Sequence, residues 1–211
     1  EKAPKNHRLL GEAASLKASV QQKFFPIYRE ILKDPSTPPQ ERAELQERLR
    51  ATRVSVIRNC KDAKDKLEKD YFEALRGWRD PANPKGEEME KKRAKLYPKY
   101  VMASQKYIQA LVKDAGEFDA GSAEQKGAGK AVVDAIKQWV EKQEESIPEG
   151  VQMWMDLFRG RGYVFMGEMS TACEEGFDKV IEIDPQNFEK GAARNFADQL
   201  RIYAMWFKAK A

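Results

Sequence analysis

Apolar side chains recur along most of the chain at steps of three, four and seven residues, which is the spacing of one face of an α-helix. The longest such pattern has no glycine or proline between residues 40 and 76. At a rise of ~1.5 Å per residue, it predicts a helix about 60 Å long. The stripe that should face the core holds Leu45, Leu49, Thr52, Val56, Cys60, Ala63, Leu67, Tyr71, Leu75 and Trp78.

Further helical patterns lie on both sides of this segment. The first contains Pro26, which removes a backbone donor, so we expect a kink or break near Phe25. Thr37 precedes two prolines and is the expected N-cap of the long helix. Other helices are predicted from about 87 to 115, after Ser122 as N-cap, and from about 188 to 210. The apolar positions of the first helix are Leu9, Leu16, Val20, Phe24, Ile27 and Ile31.

These patterns predict an all-α fold in which antiparallel helical hairpins are joined by short loops. Residues 1–148 should form a bundle of long helices. Residues 149–211 should form a denser hairpin with a capping helix, because residues 151–183 hold the densest apolar stretch. The two parts could also be one continuous domain.

The run from Glu168 to Asn187 resembles the second helix of a tetratricopeptide repeat. That family places a small residue, an aromatic residue four later, a small residue three further on and a proline five beyond; here these are Cys173, Phe177, Val180 and Pro185. Upstream, the spacing of Trp154, Leu157, Gly160 and Tyr163 is similar to that of the family's first helix. The resemblance implies a hairpin that stacks on a neighbour and binds protein partners.

Charge is high but mixed in sign. Charged residues make up 34 % of the chain, and 38 basic and 34 acidic side chains give a net charge of +4. Because the two signs alternate almost everywhere, the pattern is typical of solvated helix faces and argues against nucleic-acid binding. No apolar run approaches the ~20 residues of a membrane span, so we expect no integral membrane segment.

The chain begins at Glu1, and its polar opening favours an exported or periplasmic protein from which a leader has been removed. The two cysteines, Cys60 and Cys173, do not define a disulfide framework or a zinc site. They are interpreted as small buried or half-buried side chains. The alternative is a single disulfide between them, which would support export.

The residue inventory for catalysis is poor. The chain has one histidine, His7, so a histidine-based triad or metal cluster cannot be assembled. The segment Lys126–Lys130 faintly resembles a phosphate loop, but Ala131 stands where serine or threonine should hold magnesium. We therefore expect no catalytic residues, no metal, no cofactor and no enzymatic activity.

The predicted partner-binding residues lie in the aromatic-rich C-terminal third: Trp154, Phe158, Arg161, Tyr163 and Phe165. Within this group Arg161 is flanked by Gly160 and Gly162. Two glycines in an apolar helix cost ~1 kcal/mol each relative to alanine. They indicate a tight helix crossing, or else an arginine held in a groove for an acidic partner.

Three functions remain open at this point. The first is a non-catalytic helical scaffold or adaptor that binds protein partners. The second is a structural subunit that self-associates or is built into a larger assembly, exported or not. The third is a peripheral membrane binder that uses basic helix faces.

Overall fold

The computed structural model describes residue 16, residue 20 and the ranges 23–144 and 146–210, with only the backbone for residues 24–26. Its described residues contain helices, turns and no β-strand, which confirms the all-α prediction. The helices are α1 (Phe24–Lys33), α2 (Pro39–Arg79), α3 (Gly86–Ala115), α4 (Ala123–Glu141), α5 (Glu149–Met166), α6 and α7 (Ala192–Lys208). Helix α6 has three segments, Met169–Ala172, Cys173–Phe177 and Asp178–Glu182.

The chain divides into two compact units, residues 1–110 and residues 111–211. Each unit is described by itself. The domain boundary that the sequence places near residue 148 stays a prediction. Leu9 and His7 lie outside the described residues.

In the first unit, α1 begins at Phe24, so Pro26 falls in its first turn, where the missing donor has no helical acceptor to lose. Thr37 does not cap α2, contrary to the sequence-based expectation, because α2 begins at Pro39 with Pro38 in the N-cap position. The hydroxyl of Thr37 instead donates to the carbonyl oxygen of Ile31, 2.8 Å away. Thr37 therefore closes the end of α1.

Helices α2 and α3 form an antiparallel hairpin through their buried stripes. At one end Val56 and Cys60 form a buried cluster with Ala110. Further along, the rings of Tyr71 and Tyr100 stack with centres 5.4 Å apart. The predicted stripe on α2 is confirmed, since its buried members include Leu45, Val56, Cys60, Ala63, Leu67, Tyr71 and Leu75.

In the second unit, α4 begins as the sequence predicts. The side chain of Ser122 accepts a hydrogen bond of 3.0 Å from the backbone N–H of Gln125. The side-chain oxygen of Gln125 in turn accepts from the backbone N–H of Gly121 at 2.8 Å. These reciprocal bonds satisfy two backbone donors that a helix start leaves without partners. The segment Lys126–Lys130 lies inside α4 and forms no loop.

Helix α5 crosses its neighbours at glycines on both sides. A Cβ at Gly129 of α4 would lie 2.7 Å from the carbonyl oxygen of Gly162. On the other side, a Cβ at Gly160 would lie 2.6 Å from the ring of Phe177, and one at Gly176 would lie 2.6 Å from the backbone nitrogen of Gly160. The two glycines that flank Arg161 are therefore both explained by close helix packing.

Helix α6 contains a π-helical turn, Cys173–Phe177, between two α-helical segments. Phe177 at its end is fully buried, and Pro185 follows in a short 3₁₀ turn, Pro185–Asn187. The small residue at the crossing with α5 is Gly176, not Cys173, which is half-buried. Both cysteines are free thiols, with Cys60 buried.

Gly127 and Gly129 offer a matched test of this packing, because both lie in α4 and only one is crowded. A Cβ at Gly127 would meet no atom within 4 Å. Gly127→Ala should stabilise the protein by about 0.5–1 kcal/mol through helix propensity. Gly129→Ala should destabilise it by about 1–3 kcal/mol, because the added carbon forces α4 away from α5.

Urea unfolding of the two variants, followed by circular dichroism, measures both effects. Equal stability of the two variants would show that α4 and α5 can separate at this point without loss, and would contradict the packing argument.

Candidate functional site

The five residues that the sequence nominates for partner binding all lie on α5, but at different depths. Trp154 and Phe158 are buried, at 7 % and 8 % exposure, and their rings stack with centres 4.1 Å apart. Arg161, Tyr163 and Phe165 are half-buried. Within the described part of the chain, Tyr163 makes no ring contact with the other four. Their role in partner binding stays a prediction.

Arg161 lies among three phenylalanine rings. Its guanidinium carbon is 5.6 Å from the ring centre of Phe158 and 5.9 Å from that of Phe165, both on its own helix. The nearest ring centre is that of Phe207 on α7, at 4.9 Å. Each ring face attracts the cation, by about 0.5–1 kcal/mol at an exposed site. The structure thus brings Phe158, Arg161 and Phe165 together and adds Phe207.

No carboxylate among the described residues pairs with Arg161. Burial lowers the pKa of its guanidinium from the usual value, and no neighbouring charge opposes that shift. The group still carries its charge at neutral pH, because the pKa of an arginine side chain lies far above neutrality. Arg161 is therefore a partly desolvated cation held by rings alone, a state that a bound anion would stabilise.

Helix α7 exposes large apolar side chains beside this arginine. Its inner face buries Ala197, Leu200 and Ala204. Its outer face leaves five large residues between 43 % and 60 % exposed: Phe196, Ile202, Tyr203, Met205 and Trp206. Scattered single apolar residues are normal on a protein surface, so five on one helix make this face a candidate interaction surface.

The arginine and this exposed face are connected through aromatic contacts. The ring of Phe207, which contacts Arg161, lies edge-on to the ring of Trp206 with centres 4.8 Å apart. The ammonium of Lys210 lies 3.9 Å from the ring centre of Trp206. We call Arg161, Phe207, Trp206 and Lys210 the cation–aromatic strip.

Asp156 is a buried carboxylate with its own partners. It is 3 % exposed, and the amide nitrogen of Gln152 donates to both its oxygens at 3.0 and 2.9 Å. A guanidinium nitrogen of Arg159 lies 3.3 Å from one of them. Burial raises the pKa of Asp156, and these partners oppose the shift without cancelling it. The carboxylate of Asp156 thus connects Gln152 and Arg159 along the same helix.

The described residues contain no group of three or more histidine, cysteine, aspartate or glutamate side chains that could hold a metal ion. Within the same ranges, every helix is too short or too polar to cross a membrane.

Compared with family models, with curated proteins and with solved structures, the chain matches none of them. The tetratricopeptide-repeat resemblance over residues 154–187 therefore stays a prediction.

Sequence reasoning missed the contribution of α7 to this region. It predicted a final helix from about 188 to 210 and nominated none of its large apolar residues for partner binding: Phe196, Leu200, Tyr203, Trp206 and Phe207. The signal was present, since large apolar residues surround the axis of α7 on nearly all sides, and one packed face cannot bury them all. The contact between Arg161 and Phe207 had no local signal, because the two residues lie on different helices.

Asp156 generates a pH-dependent prediction. Because its pKa is higher in the folded state than the ordinary 3.8, the stability it contributes is full at low pH and is lost as pH rises through the folded pKa. Asparagine cannot ionise. The stability of Asp156→Asn relative to wild type should therefore be greater at pH about 7 than at pH about 4.

Glu175→Gln is the matched control, because its stability relative to wild type should change with pH in the opposite direction. The hydrogen bond from Lys179 lowers the pKa of the exposed Glu175, so its contribution is present at neutral pH and lost on acidification. The stability of Glu175→Gln relative to wild type should therefore be lower at pH about 7 than at pH about 4. Urea unfolding at both pH values measures the two trends, and the same sign for both variants would contradict the assignment.

Proposed function

We propose that this protein is a non-catalytic helical scaffold or adaptor that binds a protein partner through the exposed apolar face of α7. The observation that carries the proposal is the group of half-exposed side chains Ile202, Tyr203, Met205 and Trp206 on one helix. Aromatic residues and methionine are enriched in protein interfaces, and tryptophan and tyrosine dominate their energetics. A partner that covers this face removes these side chains from water.

The rigidity of the second unit supports the same proposal. Helix α7 packs on α5 and α6, and the ammonium of Lys208 is tied to the carboxylate of Asp178 at 2.5 Å. The ring of Phe207 also stacks on the buried ring of Phe177 at 5.9 Å. A surface whose helix is already held in place loses little conformational entropy on binding.

A structural subunit of a larger assembly is the second candidate, and a different observation favours it. Helix α1 carries Ile27 and Ile31 at 53 % and 37 % exposure, and Leu16 and Val20 before it are exposed as well. Helix α2 has 41 residues and spans about 60 Å. A long helix beside an uncovered apolar face would suit repeated contacts between copies of the chain.

The scaffold function predicts a complex that depends on α7. Protein purified from its native cells should form a heteromeric complex of defined mass by mass photometry. Ile202→Glu and Met205→Glu should reduce the fraction in the complex at least tenfold, because each places a charge in the apolar interface. Both positions are exposed, so folding should be unaffected.

Met102→Glu is the matched control. Met102 is 57 % exposed on α3 in the first unit, and its replacement adds the same charge to a different helix. Recovery of monomer alone would contradict the proposal. A regular series of homomeric masses, insensitive to Ile202→Glu, would favour the structural subunit instead, and co-flotation with anionic vesicles without any complex would favour a peripheral membrane binder.

A further inference from the structure

We propose that the partner presents an acidic segment, and that one of its carboxylates binds Arg161 while an adjacent apolar side chain covers the ring of Trp206. This inference rests on the proposed function, since it specifies the chemistry of the protein segment that α7 receives. The ligand class is thus a peptide that alternates carboxylate and apolar side chains.

The environment of Arg161 supports an anionic ligand. Its guanidinium is half-buried, and no acidic side chain of the described residues pairs with it. Three phenylalanine rings surround the group, which leaves its in-plane N–H donors without charged acceptors. A planar carboxylate matches two of these donors at once, so it is the natural complement of this cation.

Two other cations of the second unit have acidic partners. The ammonium of Lys208 is bonded to the carboxylate of Asp178. On α5, Arg159 pairs with Asp156 at 3.3 Å. Acidic residues of the second unit thus neutralise Lys208 and Arg159, whereas Arg161 contacts aromatic rings and pairs with no carboxylate of the described residues.

The cation–aromatic strip also defines what lies beside the carboxylate. Phe207 contacts both Arg161 and Trp206, and Trp206 is 50 % exposed. The ammonium of Lys210 lies 3.9 Å from the ring centre of Trp206. The exposed indole ring of Trp206 therefore lies next to the phenyl ring that contacts Arg161. An apolar side chain next to the carboxylate would bury the indole ring, and a second acidic group could reach Lys210.

A protein segment fits this arrangement better than a lipid surface does. Binding to anionic membranes is the sum of several basic groups, each worth ~1 kcal/mol near the surface. Here one cation is half-buried among rings, and Lys208 is already occupied by Asp178. One well-placed guanidinium beside apolar side chains favours a single carboxylate on a peptide.

The test compares two labelled synthetic peptides by fluorescence anisotropy with the full chain. The first alternates leucine and glutamate, and the second has glutamine in place of each glutamate. Wild type should bind the acidic peptide at least about tenfold more tightly, and the preference should shrink as salt is added. Exchange of glutamate for glutamine changes charge at nearly constant shape, so the difference reports the carboxylate.

Arg161→Met is the main variant, because methionine keeps an unbranched apolar side chain among the rings and removes the charge. It should reduce the acidic-to-amide preference to about twofold or less. Its thermal midpoint should equal or exceed that of wild type, since a desolvated cation without an ion pair is lost. Arg161→Lys should give an intermediate preference, because an ammonium cannot bind a carboxylate through two parallel bonds.

Lys126→Ala is the matched control, since Lys126 is an exposed cation on α4 of the same unit. It should keep the full preference for the acidic peptide. Equal binding of the two peptides by wild type, or an unchanged preference in Arg161→Met, overturns the acidic ligand. The chain could instead form a dimer that Arg161→Met dissociates and that the acidic peptide does not disrupt. That result would assign the site to a second copy of the chain and would also overturn the acidic ligand.

Flotation with phosphatidylserine vesicles separates the remaining source of anions. Flotation that Arg161→Met abolishes, without preferential binding of the acidic peptide, would assign the cation to a lipid headgroup and overturn the proposal. The proposed scaffold function fails on a different measurement, the mass of the native protein. A native complex that needs Ile202 but is unaffected by Arg161→Met would keep the scaffold and reject the acidic ligand.

Discussion

Close approach of helix backbones at glycine is the constraint on which the second unit depends. Gly129 and Gly162 let α4 meet α5, and Gly160 and Gly176 let α6 meet the opposite side of the same helix. No rotamer change can relieve a contact between two backbones, so these positions fix the distances between the helices. Helix α5 is thereby held on both sides, and Arg161 is carried on the short stretch between its two glycines.

This packing determines how the candidate surface is presented. Phe177 fills the space above Gly160 and stacks on Phe207, which in turn contacts Arg161. The buried core and the cation–aromatic strip therefore share a ring. A change that displaces α6 would therefore alter the surface of α7 even when no residue of the strip is changed. For the same reason the charge at Arg161 is better tested with Arg161→Met, which keeps a side chain among the rings, than with a truncating substitution.

Helix existence and extent could be predicted from sequence, because apolar periodicity is local. The ends of α2 and the Ser122 cap follow from proline, glycine and serine at fixed offsets. Thr37 could not be placed, since its hydroxyl bonds Ile31 across a turn rather than the helix that follows. The partner of Arg161 and the small residue opposite α5 depend on which helices meet. The repeat-like spacing predicts Cys173 as that small residue, but the π-helical turn places Gly176 against α5 instead.

The glycine crossings differ in how they could tolerate change over generations. At Gly160 the obstructing atoms belong to the ring of Phe177. A smaller residue at position 177, such as leucine, could therefore suppress the effect of Gly160→Ala. At Gly129 and Gly176 the nearest obstructing atoms are backbone atoms, which every amino acid shares. No substitution of the facing residue can make room at these two positions. Genetic screens should therefore recover second-site revertants of Gly160→Ala, and none at the facing residues for alanine at Gly129 or Gly176.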